Sequence, residues 1–144
     1  MGLIWGVVVI ALSMLCWGGQ LVSAVAPRTA ARLGLADAEA DVDPVFWADG
    51  RGEALWDAIA TWPMVVAGVL LVGDHSAWPY FGLAGGGGYL YFAGRGIVTR
   101  LTMQRRGMRI GAPRDVAVGL TALALWGAMA IVTIVASIVA LEPA

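Results

Sequence analysis

The chain has 144 residues, 60% of them hydrophobic and 13% charged, with a formal net charge of −1 and a mean hydropathy of +0.80. This is far too apolar for a soluble domain of its size and places the chain among integral membrane proteins. A balance this near neutrality makes no case for nucleic-acid binding, and a single cysteine excludes an intrachain disulfide or a paired-cysteine metal or redox motif.

The first span is predicted over residues 2–26. Its apolar run is longer than a signal-peptide core, no basic residue precedes it, and it ends at Ala26-Pro27 before arginines. It reads as a retained helix. Gly2 and Gly6 form a small-xxx-small pair within it. Residues 27–52 are the one sizeable polar connection and read as a cytoplasmic loop. Asp37, Glu39, Asp41 and Asp43 alternate there. Val42 and Ala48 stand where a calcium loop needs glycine and glutamate, so the stretch reads as a solvated acidic loop facing basic neighbours. Asp43-Pro44 is expected to cap a short helix. Val45, Phe46 and Trp47 then lie in the interface before Asp49-Gly50 turns the chain back.

The second span is predicted over 53–73. Glu53, Asp57 and Thr61 recur at four-residue spacing, Met64 and Gly68 continue the same face, and Pro63 threatens a kink. A turn at Gly73–Ser76 leads into the third span, 77–100, which runs on as a basic segment to about Arg106. Gly107 to Pro113 is a turn, and the uniformly apolar fourth span covers 114–141. The expected fold is all-α, a four-helix transmembrane bundle forming one integral membrane domain over 1–144.

The third span carries the most unusual feature, four consecutive glycines, Gly85, Gly86, Gly87 and Gly88, with Gly82 before them. Four residues exceed one helical turn, so the helix has a bare girdle. Each glycine costs about 1 kcal/mol relative to alanine, which calls for an offset. Close helix packing is the expected one. Gly82 and Gly86, with Ala93 and Gly96, give a smooth strip whose predicted neighbour is a second subunit. The alternatives are a pore-lining break, or a cavity for a flat or lipid-like ligand walled by Trp78, Tyr80, Phe81, Tyr89, Tyr91 and Phe92.

Two ionisable residues fall inside predicted spans. Asp57 and Arg95 sit at matching depth on hairpin-linked helices, so they are expected to pair at the cytoplasmic membrane edge. Asp74, His75 and Glu142 are the titratable groups of the opposite face, and read as solvated rather than as a metal site.

All nine basic residues are arginine. Arg28, Arg32, Arg51, Arg95, Arg100, Arg105, Arg106, Arg109 and Arg114 fall at one side of a four-span arrangement. The termini and the Asp74–Ser76 turn carry none. By the positive-inside rule both termini are expected outside the cytoplasm of a bacterial-type inner membrane. Trp5 and Trp78 then belong to the outer aromatic belt, and Trp47 and Trp56 to the inner one. Arg100, Arg105, Arg106 and Arg109 are expected on anionic lipid, each contributing about 1 kcal/mol, or paired with the Asp37–Asp43 loop. The residues assemble no Cys-His pair, zinc-water site or phosphate-cradling loop, so no enzyme, cofactor or metal is expected. The leading reading is a non-enzymatic accessory or interaction subunit, in a homo-oligomer or a larger membrane protein complex, whose other partners are membrane lipids. A small channel or transporter is the alternative, and a quinone-, pigment- or lipid-binding protein the third.

Overall fold

The computed structural model describes Gly2 to Glu142. Met1, Pro143 and Ala144 lie outside the described residues, and with them the two chain ends whose side of the membrane was predicted above. Among the described residues the only regular secondary structure is helical. The helices are α1 (Gly2–Val25), α2 (Pro27–Arg32), α3 (Pro44–Ala60), α4 (Trp62–Val72), α5 (Trp78–Arg105) and α6 (Pro113–Leu141), with a 3-10 turn at Glu39–Asp41. Three helical stretches are long and apolar enough to cross a membrane: Gly2–Val25, Pro44–Val72 and Pro113–Leu141. At 28 residues α5 matches them in length, but glycines, tyrosines and Arg95 dilute its hydropathy.

Proline and glycine set the boundaries. Pro27, Pro44, Pro63, Pro79 and Pro113 each fall in the first turn of a helix, where the helix they begin does not use the missing N–H. Helix α5 stops at Gly107 (φ 73°), and the Met108 N–H reaches back to the Met103 carbonyl at 3.1 Å, a left-handed cap that glycine adopts without strain. Asp74 plays the same part after α4 with φ 51°, and the His75 N–H closes on the Leu70 carbonyl at 2.9 Å.

The predicted turn at Asp49-Gly50 does not form. Helix α3 runs unbroken from Pro44 to Ala60, so the second long helix begins nine residues earlier than the 53–73 span. Its interruption comes instead at Thr61, where Pro63 removes a backbone donor and α4 begins. The last carbonyls of α3 need other donors. The Trp17 indole N–H supplies one, to the Ala58 carbonyl at 2.8 Å. The Asp57 carbonyl accepts both the Thr61 N–H at 3.0 Å and the Thr61 hydroxyl at 2.7 Å.

Helix α5 packs on α6 along one side and on α4 along the other, and α1 covers α3 and α4. The core between them holds Val9, Cys16, Met64, Tyr89, Phe92, Leu123, Met129 and Ala130. Two side chains fasten α1 to its neighbours through its own carbonyls. The Tyr89 hydroxyl donates to Ser13 at 3.0 Å, and the Trp126 indole to Leu12 at 3.0 Å. A smaller cluster of Val42, Phe46, Ile110 and Val116 closes the end that carries the long loop. Ile4, Leu15, Leu55, Val69, Val118 and Val139 point outward and are more than half exposed, as expected of a surface made for lipid.

Candidate functional site

The charged residues gather at the loop end. Arg95, near the end of α5, donates to the Asp49 carboxylate at 2.5 Å and to Glu53 at 2.9 Å. These two carboxylates stand four residues apart on α3 and so share a face. The expected Asp57–Arg95 pair is therefore not formed. The arginine meets partners one and two turns nearer the loop, where it and Asp49 keep some contact with water (32% and 28% exposed). Asp57, one turn deeper, is buried at 4% exposure, and its Oδ2 has no hydrogen-bond partner among the described residues. Asp49 was lost to the sequence reading because Asp-Gly was taken as a turn.

Arg51, on the adjoining face of α3, reaches the end of α1. It donates to the Ser23 carbonyl and to the Ala24 carbonyl at 3.0 Å, and its guanidinium lies 5.8 Å from the Trp47 ring centroid. Ser23 is the residue whose helical donor would be the nitrogen of Pro27, which bears no hydrogen.

Beside these residues opens a cleft of about 680 Å³ between the long loop, α3, the last turns of α5 and the start of α6. Phe46, Asp37, Arg100, Arg109 and Asp115 are among its walls. Arg100 is turned inward rather than toward the surroundings. It lies 5.6 Å over the Phe46 ring and donates to the Gly96 carbonyl at 3.2 Å. Arg109 leans on the loop through the Val42 carbonyl at 3.4 Å, while Arg105 and Arg106 are exposed. Asp37 is held above the usual carboxylate range, chiefly by burial, with Arg100 pulling it back and Asp115 and Asp41 pushing it further up.

The glycine girdle divides by direction. An added Cβ at Gly85 would stand 2.5 Å from the Met64 nitrogen of α4, and one at Gly86 2.5 Å from Ile134 of α6. At Gly82 it would strike Ser137. Gly88 is looser, 3.7 Å from the Ala60 carbonyl, and Gly87 meets nothing within 4 Å among the described residues. The neighbour predicted to be a second subunit at Gly82 and Gly86 is thus α6 of the same chain. Two glycines escape this account: Gly87 and Gly94 both face open space.

Among the described residues the six aromatic residues expected to wall one cavity part in direction. Tyr89 and Phe92 are buried in the core, whereas Tyr80 and Tyr91 point outward at 63% and 64% exposure. At the opposite end, His75 Nδ1 accepts the Ala77 N–H at 3.1 Å, which starts α5. Among the described residues no three His, Cys, Asp or Glu side chains converge as a metal site.

No protein-family model, curated protein or solved structure matches this chain.

Proposed function

We propose that this is a non-catalytic membrane protein that crosses the bilayer four times and associates with a second copy of itself through the outer face of α5. The observation that carries the reading is the pair Gly87 and Gly94. Every other glycine in the body of α5 has a neighbour against it, which offsets its cost to the helix. These two have none among the described residues. They stand seven residues apart, on one face with Tyr80, Ala84, Tyr91 and Val98, all exposed. That face carries a projecting ring, Tyr91, between two flat places. A two-fold interface needs such self-complementarity, since each surface must supply both knob and hole. Met64, Ile134 and Ser137 fill the space at the girdle, which favours packing there over a conducting path.

Gly87→Leu should lower the native mass in mild detergent while leaving the melting temperature of the monomer near that of the parent. Gly86→Leu should do the reverse, because its side chain would meet Ile134. A Gly87→Leu protein of unchanged native mass would sink the self-association reading. The placement in an inner membrane, with the loop end cytoplasmic, rests on the arginine distribution. Reporter fusions in the His75 turn and near Gly107 test it, the first active only outside the cytoplasm and the second only within.

A second reading, binding of an anionic amphiphile, is favoured by the loop-end cleft. Its volume lies within the range of ligand sites, and it pairs an aromatic wall with Arg100. Loss of a co-purifying lipid in Arg100→Gln, with the fold intact, would support it.

A further inference from the structure

One carboxylate oxygen of the bundle is buried and unpartnered. Asp57 is 4% exposed, and its Oδ2 finds no donor among the described residues. It lines a notch of about 140 Å³ whose other walls include Glu53, Trp56, Tyr91, Phe92 and Arg95. Arg95 is already engaged by Asp49 and Glu53. Three carboxylates therefore stand against one guanidinium, and the deepest of them has no counter-charge. Burying an unpaired carboxylate is costly, the more so inside a membrane.

The lining indicates what kind of positive group belongs there. A hard divalent ion asks for six or more oxygens, and no three metal-ligating side chains converge among the described residues. Three of the walls are aromatic rings. Rings beside a carboxylate are the surroundings that an ammonium group prefers, since the ring faces attract it and the carboxylate neutralises it. The notch exceeds the ~30 Å³ of a water molecule and falls short of the roughly 300 Å³ at which whole-ligand pockets begin. It suits a head rather than an entire solute. Trp56 and Tyr91 are both at least 60% exposed, so the opening faces sideways, out of the bundle.

We propose that this notch binds a small primary or methylated ammonium group, with Asp57 as its counter-ion and Trp56, Tyr91 and Phe92 as its walls. The group belongs either to a free amine or to the head of an aminolipid, and the same chemistry holds both. The notch shares Tyr91 with the face proposed for self-association, and the two readings part in their tests: self-association is read from native mass and Gly87→Leu, ammonium binding from the melting midpoint and Asp57→Asn.

The purified full chain is melted in ethylammonium, tetramethylammonium or sodium chloride at equal ionic strength. At least one ammonium salt should raise the midpoint above that in sodium. The response should weaken more than tenfold in apparent affinity in Asp57→Asn, as loss of a close charge partner entails. In Trp56→Ala, at the exposed rim where folding is not at risk, it should weaken about two- to fivefold. Native mass spectrometry from bilayers of mixed phosphatidylethanolamine and phosphatidylglycerol then distinguishes the sources. Retention of the aminolipid by the parent and its loss in Asp57→Asn assign the notch to a lipid head. An ammonium response without such retention assigns it to a free amine. Equal midpoints in ammonium and sodium overturn the proposal, as does an unaltered ammonium response in both variants. A midpoint that follows pH but ignores ammonium also overturns it, and leaves Asp57 a protonated structural residue.

Discussion

Alanine at Gly85 and alanine at Gly87 should change stability in opposite directions, although the two positions are two residues apart on the same helix. At Gly87 the added methyl meets nothing within 4 Å, so only helix propensity acts. In water that gain is about 1 kcal/mol. Among detergent or lipid tails it is smaller, because the backbone there has few alternatives to the helix. At Gly85 the new Cβ stands 2.5 Å from the Met64 nitrogen and 2.7 Å from its Cα. These are backbone atoms and cannot swing aside. Ordinary contact lies near 3.5–4 Å, so α4 and α5 must part locally by about 1 Å. Met64 is fully buried, and a side chain of that size makes about 50 atomic contacts of about 0.15 kcal/mol each. A gap of that width forfeits a quarter to a half of each well, which gives a loss of about 2–3 kcal/mol if most of those contacts face α5. This falls at the upper end of the 1–3 kcal/mol typical of overpacked cores. Against a gain below 1 kcal/mol, Gly85→Ala should be destabilised by about 1–2 kcal/mol, and Gly87→Ala should be neutral or slightly stabilised. Unfolding in graded sodium dodecyl sulfate, followed by tryptophan fluorescence, measures both. A Gly85→Ala protein as stable as the parent would refute the α4–α5 contact.

Trp17→Phe keeps the ring but removes the donor to the Ala58 carbonyl, and should cost about 1–2 kcal/mol in the same titration; no loss would mean that water reaches the break at Thr61. In a double-mutant cycle Arg95 should couple to Glu53 more strongly than to Asp57, and Arg95→Ala should cost about 2 kcal/mol, less than a fully buried pair because the arginine is partly exposed. The opposite order would restore the Asp57 pairing. Burial raises Asp37 above its unfolded value, so the folded state holds its proton more tightly. The resulting stability is present below the unfolded pKa and lost as pH rises through the folded one. Asp37→Asn should therefore flatten the pH dependence of the melting midpoint above the unfolded carboxylate pKa of about 4 and modestly stabilise the protein at neutral pH; an unchanged slope would refute it.

The long apolar runs were legible because lipid demands them, and Pro63 marked the break in the second helix correctly. The errors have a common cause. Sequence gives position along a helix axis but not the direction in which a neighbour lies. Asp49, Glu53 and Asp57 share one face by spacing alone, and only the approach of α5 decides which of them meets Arg95. In the same way Gly85–Gly88 were visible as a bare girdle, yet which glycine touches α4, which touches α6 and which touches neither depends on two neighbours at once. Reading Asp49-Gly50 as a turn was an error of local chemistry. Asp-Gly favours turns, but here the helix continues through it and sets Asp49 on the face that Arg95 meets.

The missing hydrogen of Pro27 has a consequence for how the chain is put into a membrane. When α1 first enters lipid, the carbonyl of Ser23 has no donor within its own helix, and Arg51 has not yet been delivered. That last turn must wait at the headgroup level, where water can serve it. The donor that completes the end of α1 is Arg51, 28 positions downstream of Ser23, so the first helix has its carbonyls satisfied by protein only once the second lies beside it.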